Sequence, residues 1–75
     1  MKMTPLSHGF HEISEADAKK LNNGRLPRQG FEALVFHEGK HWWLVRTIDQ
    51  GRTVWSIRDA GRWRLVDGQA VLGGD

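Results

Sequence analysis

Apolar and polar residues alternate with a period of two over residues 31–66. This pattern is typical of antiparallel strands that bury one face. It predicts four strands, at 31–36, 41–48, 53–58 and 62–66. The short polar segments between them all end in glycine and predict three hairpin turns: His37-Glu38-Gly39, Asp49-Gln50-Gly51 and Asp59-Ala60-Gly61. Strands joined in this way form a meander in the order 1-2-3-4.

The residue pattern of the N-terminal part of the chain predicts an extended arm over residues 1–12, followed by one short helix. Ser14 is a good N-cap, because its hydroxyl can accept a hydrogen bond from the backbone N–H of Asp17. Asn22-Asn23-Gly24 is a strong helix end, so we predict the helix within 14–22. So short a helix, with a thin apolar face, needs to pack on the sheet to be stable.

Residues 67–75 predict a tail, with a short fifth strand at 70–72 as an alternative. The whole pattern predicts an α+β fold in which a short N-terminal helix packs on a four-stranded antiparallel β-meander. A chain of 75 residues is near the size at which a single core becomes marginal. Four tryptophans and three phenylalanines compensate for that size, because each buried ring removes a large apolar area from water.

The length of the turns decides which face of the sheet each residue occupies. A two-residue type I′ turn needs positive φ at its first position, which Glu38, Gln50 and Ala60 suit poorly. Three-residue loops accept these residues, so we predict three-residue loops at all three turns. The resulting register forms one wholly apolar face for the helix to cover: Phe31, Ala33, Val35, Trp43, Val45, Trp55, Ile57, Trp63 and Leu65.

The opposite face in that register mixes arginines with apolar residues and places Trp42 directly across from Arg58, within cation–π range. An apolar patch rimmed by arginine is typical of a protein-binding surface. The ordinary alternative is that the arginines are solvated and that their stems cover neighbouring apolar side chains. The residues predicted to bind a partner are Trp42, Arg46, Arg58, Arg62, Arg64 and Phe36.

The charge distribution points to an anionic partner. The net charge is only +2, but residues 40–64 contain six basic and two acidic residues, a local excess of +4. Such an asymmetry favours a protein with an acidic surface, or a nucleic acid.

The sequence gives little support for a metal site, a cofactor site or a catalytic site. The chain has no cysteine, which excludes disulfides and thiolate metal sites. The pairs His8/His11 and His37/His41 have metal-ligand spacing, but the predicted register separates His37 from His41, so we expect no metal and no cofactor. No nucleophile motif or phosphate-binding loop appears, and we expect no enzymatic activity.

The longest apolar run is Trp42–Val45, far shorter than the roughly 20 residues that span a bilayer. The first twelve residues lack the apolar region of a signal peptide. Together with the absence of cysteine, these features predict a soluble, cytoplasmic protein with no membrane partner.

The overall profile, a compact cysteine-free chain with one helix and a tryptophan-rich meander, is similar to that of many phage-encoded inhibitors, including anti-CRISPR proteins. The similarity is one of class and rests on no shared motif. Together with the Arg/Trp face itself, it favours a non-catalytic binding protein that docks that face on a protein target, in the manner of a phage-encoded or mobile-element-encoded inhibitor. A nucleic-acid-binding module that uses the same face is the alternative, and a homodimer that buries this face against a second copy is a third hypothesis.

Overall fold

A computed structural model describes residues 1–73. It contains one α-helix, a five-stranded antiparallel sheet and a separate two-stranded hairpin. The elements are β1 (Thr4–Pro5), β2 (Phe10–Ile13), α1 (Glu15–Leu21), β3 (Glu32–His37), β4 (Lys40–Asp49), β5 (Arg52–Asp59), β6 (Trp63–Val66) and β7 (Gln69–Leu72). The prediction of one short helix with a mainly antiparallel sheet is confirmed, whereas the number and order of the strands are different.

The helix begins where its capping signal predicts. The Ser14 hydroxyl accepts a hydrogen bond from the Asp17 N–H at 3.1 Å, and the N–H of Asn22 closes the last turn on Ala18 and Lys19. Ala18 is fully buried against the sheet, which provides the tertiary packing that a seven-residue helix requires. No helix among residues 1–73 has the length and hydropathy needed to cross a membrane.

The N-terminal segment is part of the main sheet, whose strand order is β1-β2-β5-β4-β3. Strand β2 pairs with β5 from Phe10↔Arg58 to Ile13↔Trp55, and β1 pairs with β2. The predicted arm over residues 1–12 therefore includes two strands and a 3₁₀ turn. It occupies the edge of β5 that the predicted fourth strand would have used, so the 1-2-3-4 meander is wrong.

The first two hairpins have two-residue turns, because His37 pairs with Lys40 and Asp49 pairs with Arg52. The prediction of three-residue loops is wrong. Glu38 and Gln50 adopt φ of 50° and 51°, the left-handed conformation that non-glycine residues disfavour. Type I′ turns match the right-handed twist of the strands, and this pairing brings apolar residues of three strands onto one face.

The third predicted turn does not form a hairpin. The Asp59 carboxylate accepts the Gly61 N–H at 2.7 Å, and the Ala60 N–H donates to the His41 carbonyl at 3.1 Å. These bonds turn the chain out of the main sheet. Strand β6 then pairs with β7 through a two-residue Asp67-Gly68 turn.

The predicted tail over 67–75 is therefore wrong where β7 forms, and the alternative of a short strand at 70–72 is close to the strand observed. Residues 74 and 75 of that tail lie outside the described residues.

The one-residue change in register moves the side chains of β4 to the opposite faces, while Val35 of β3 and Ile57 of β5 stay on the face predicted for them. The face that the helix covers, the covered face, contains a buried cluster of Ile13, Ala18, Val35, Trp42, Leu44, Trp55 and Ile57. The opposite face, the open face, has Phe10, Phe36, His41, Trp43, Val45 and Arg58 among its side chains, as the strand pairing requires. The assignment of Trp43 and Val45 to the helix-covered face is therefore wrong.

Candidate functional site

An open groove of about 380 Å³ lies between the tip of the β3–β4 hairpin and the start of β6. Its lining residues are Phe36, Gly39, Lys40, His41, Gly61, Arg62, Trp63 and Arg64. We call this the basic groove, because three of these residues are basic and no acidic residue lines it within residues 1–73. It forms because the Asp59–Gly61 turn directs β6 over the open face instead of alongside β5.

Aromatic rings form the apolar part of the groove. Phe36 is 57% exposed, and its ring lies 5.0 Å from the His41 ring. Trp63 is half-buried and packs edge-to-face on Trp43 with 5.6 Å between ring centroids. Such contacts favour fixed ring orientations, so the groove offers a partly preformed apolar surface to a ligand.

His41 connects the main sheet to the β6–β7 hairpin. Its carbonyl accepts the Ala60 N–H, and its Nε2 atom accepts the Leu65 N–H over a longer distance of 3.4 Å. The second bond requires an unprotonated Nε2 atom. One residue therefore holds both the turn that precedes β6 and the strand itself.

The cations of the groove have different surroundings. The Lys40 ammonium lies 2.8 Å from the Asp59 carboxylate and 4.3 Å from the Trp42 ring centroid. The Lys40 hydrogen bond, followed by the Gly61 N–H, lowers the pKa of Asp59 below its usual value of 3.8. Asp59 therefore balances the charge of Lys40.

Arg64 lies across the β6–β7 hairpin against the backbone of Gly73. A Cβ atom at Gly73 would collide with the guanidinium of Arg64 and would lie 2.7 Å from the Arg62 carbonyl oxygen. That carbonyl already accepts the Gly73 N–H at 2.7 Å. A side chain at position 73 would therefore displace the Arg64 guanidinium from this side of the hairpin.

Trp42 does not belong to the exposed surface. It is 7% exposed on the covered face, and its indole N–H donates to the His37 carbonyl at 3.1 Å. Its partner across the strands is Asp59, whereas Arg58 lies across from Trp43. The predictions that Trp42 lies on the exposed face and opposite Arg58 are both wrong.

Arg46 and Arg58 lie on opposite faces of the sheet. The Arg46 guanidinium is 5.5 Å from the Trp55 ring at the border of the covered face, and that of Arg58 is 5.2 Å from the Phe10 ring on the open face. The Nε atom of each arginine is buried and has no hydrogen-bond partner among residues 1–73. Cation–π contacts explain how both side chains are held.

Of the six predicted binding residues, the structure therefore brings Phe36, Arg62 and Arg64 into one groove. Arg58 shares the open face with Phe36, whereas Trp42 and Arg46 point to the other face. A role in binding for these residues stays a prediction. The six predicted binding residues did not include Lys40, His41 and Trp63, and the Asp67-Gly68 pair is the sequence signal for the hairpin that positions Trp63.

Two other depressions have less defined chemistry. One of about 410 Å³ beside the start of the helix has Lys2, Glu12 and Asp17 in its lining and contains no aromatic side chain. The other, of about 180 Å³ on the open face, is mainly apolar and includes Leu6 and Phe10. Within residues 1–73, no three His, Asp or Glu side chains are grouped so that they could hold a metal ion.

Comparison with known proteins gives no further assignment. No family model matches the chain, and neither a curated protein nor a solved structure has significant similarity to it. The groove and the hairpin beside it are therefore the features that indicate a function.

Proposed function

We propose that this protein is a non-catalytic binding protein that docks the basic groove and the adjoining β6–β7 hairpin on an acidic surface of a partner protein. The observation that carries the proposal is the groove lining among residues 1–73, in which the aromatic residues Phe36 and Trp63 stand beside the basic residues Lys40, Arg62 and Arg64. Arginine and tryptophan are the residue types that most often dominate the energy of protein interfaces.

The side chains of the β6–β7 hairpin favour the hypothesis of a protein partner over that of a nucleic acid. The hairpin exposes a set of apolar side chains next to the arginines, with 41–55% of each accessible: Leu65, Val66, Val71 and Leu72. Apolar patches with a charged rim are typical of protein interaction sites. A phosphate-binding track needs several available cations, and Asp59 already engages Lys40.

The small size and the composition of the chain favour an inhibitor, which acts by covering a surface of the partner protein. We also propose a cytoplasmic location, because a cysteine-free chain suits a reducing compartment.

Site-specific photocrosslinking tests the proposal. A photoreactive phenylalanine analogue at Phe36 should form a covalent adduct with one protein in cells of the source organism. The purified partner should then bind the wild-type chain, and the double substitution Arg62→Glu/Arg64→Glu should weaken binding at least about 100-fold, as expected for charged contacts at an interface centre. Isothermal titration calorimetry measures this change.

The matched control is Arg25→Glu/Arg28→Glu, which changes the net charge equally at two exposed residues outside the groove. This control should alter the dissociation constant less than about threefold at physiological salt, where distant charges are screened. Equal losses in both double variants would contradict a specific role for the groove.

Labelled single-stranded and duplex DNA, titrated at two salt concentrations, tests the alternative. Micromolar binding that weakens steeply with salt, together with no protein adduct, would favour a nucleic-acid-binding module instead.

A further inference from the structure

Two of the sheet edges in residues 1–73 are protected against pairing with another chain. At one edge, β1 has only two residues, and one of them is Pro5, which has no N–H to donate. At the other, β3 buries Leu34 and Val35, which are 8% and 2% exposed. A long incoming strand would meet an obstacle at each of these edges.

The outer edge of β7 has no such protection. All four residues, Gln69, Ala70, Val71 and Leu72, are exposed, and none is charged or a proline. Strand β6 pairs with its inner side, and no other strand among residues 1–73 pairs with β7. Edges of this kind add further strands readily, because their backbone groups are unpaired and uncharged side chains do not repel a second strand.

The register of the hairpin identifies the free backbone groups. Gln69 pairs with Val66 next to the two-residue turn, and Gly73 donates to the Arg62 carbonyl at 2.7 Å. Because hydrogen-bonded pairs alternate along an antiparallel ladder, the N–H and C=O groups of Ala70 and Leu72 point away from β6. On the other side of the hairpin, the outward N–H of Leu65 follows the same alternation and reaches His41.

We propose that β7 binds an extended segment of the partner protein as an additional antiparallel or parallel strand, and that this segment carries acidic side chains. The proposal rests on the proposed function and specifies how the partner binds. Arg64 lies over Gly73 at the end of β7, so a carboxylate on the added strand would meet a cation there. A second copy of this chain would bring the same arginines and a net charge of +2, which disfavours self-pairing.

Amide hydrogen exchange measured by NMR tests the proposal with a defined probe. The probe is a blocked ten-residue peptide of alternating valine and glutamate, and the comparison peptide has lysine in place of glutamate. At millimolar concentration the glutamate peptide should slow exchange at the Ala70 and Leu72 amides at least about tenfold. The lysine peptide should slow exchange less than twofold.

Substitutions in β7 give a second test of the proposal. Ala70→Pro removes one outward N–H, at a position where an edge strand tolerates proline, and it should abolish the protection of the Leu72 amide. Ala70→Ser keeps the N–H and should retain that protection. The pattern of chemical shifts in each variant without peptide shows whether the hairpin is intact.

Four outcomes would overturn the proposal. Unchanged exchange at Ala70 and Leu72 with the glutamate peptide would do so, as would equal protection by the lysine peptide. Shifts confined to Phe36, His41 and Trp63 would reject the edge while leaving the groove as the binding site. Protection that increases with protein concentration in the absence of peptide would identify a second copy as the occupant of the edge.

Discussion

The β4–β5 hairpin and the β6–β7 hairpin are built alike but have opposite exposure. Each joins two antiparallel strands through a two-residue turn that ends in glycine, and each carries apolar residues at alternate positions. Leu44 and Ile57 in the first are fully buried, whereas Leu65 and Leu72 in the second are 42% and 55% exposed. The difference comes from the second layer, because the helix covers the first hairpin, whereas within residues 1–73 no helix covers the second, which contacts the main sheet through Trp63 and Leu65.

This comparison shows that strand pattern and turn type define a hairpin but not its burial. An isolated two-stranded hairpin is marginal in water, so β6–β7 depends on its contacts with the main sheet. These contacts include the Trp43–Trp63 ring pair and the His41–Leu65 hydrogen bond. A small unit attached at few points, with exposed apolar side chains, is suited to binding because its burial is incomplete without a partner.

The largest expected difference between the two hairpins is in the free energy of unfolding. Leu44→Ala should reduce it by about 2–5 kcal/mol, because it leaves a cavity in the core. Leu65→Ala removes the same atoms from an exposed site and should cost less than about 1 kcal/mol. Urea titrations of both variants measure the difference, and similar costs would show that the hairpin is as well packed as the sheet.

The attachment of the hairpin can be broken at Trp63. Trp63→Ala should increase exchange at the Arg64 and Val71 amides at least about tenfold while global stability falls by only about 1–2 kcal/mol, because the hairpin detaches without the sheet unfolding. Trp63→Phe keeps a ring against Trp43 and should retain most of the protection. Global unfolding of the alanine variant would mean that the two units are not separable.

The turns of the two hairpins should respond differently to asparagine. Gln50→Asn should stabilise the protein by about 0.5–1 kcal/mol, because asparagine tolerates the positive φ of a type I′ turn better than glutamine does. Asp67→Asn should leave the stability almost unchanged, because aspartate and asparagine both suit this turn. Thermal unfolding compares the variants, and a destabilising Gln50→Asn would argue against the two-residue turn.

The smallest expected effect concerns pH at the junction between the two regions. The Lys40 ammonium and the Gly61 N–H lower the pKa of Asp59 in the folded protein, so its stabilising effect is complete above the unfolded pKa near 3.8. That contribution is lost as the pH falls through the lower folded pKa. Asp59→Asn should therefore flatten the acid side of a plot of melting temperature against pH relative to the wild-type protein. Equal profiles would contradict the shift.

Local signals located the helix well and the strands approximately. The Ser14 cap and the Asn22-Asn23-Gly24 segment bracket the helix, because capping depends on residues within one turn. Alternation found the strands over 31–66 to within a few residues. Asp67-Gly68, flanked by apolar residues, carries a strong hairpin signal, which predicts a strand such as β7 in place of the middle of the predicted tail.

Two adjacent tryptophans show where local reasoning failed. Trp42 and Trp43 have the same chemistry, and only the register decides which of them is buried. Turn preferences favoured the wrong register, because the left-handed conformation of Glu38 and Gln50 has a local cost. The burial of apolar residues from several strands offsets that cost. The free energy gained from this burial cannot be evaluated from the turn residues alone.

The sequence by itself determined one short capped helix, strands with alternating exposure and a basic segment over residues 40–64, because each of these depends on neighbours along the chain. The tertiary structure decided that β2 pairs with β5, that Trp42 is buried, and that Phe36, Arg62 and Arg64 share a groove. These features depend on contacts between residues far apart in the chain. In this protein a shift of one residue in strand pairing moves every side chain of a strand to the other face.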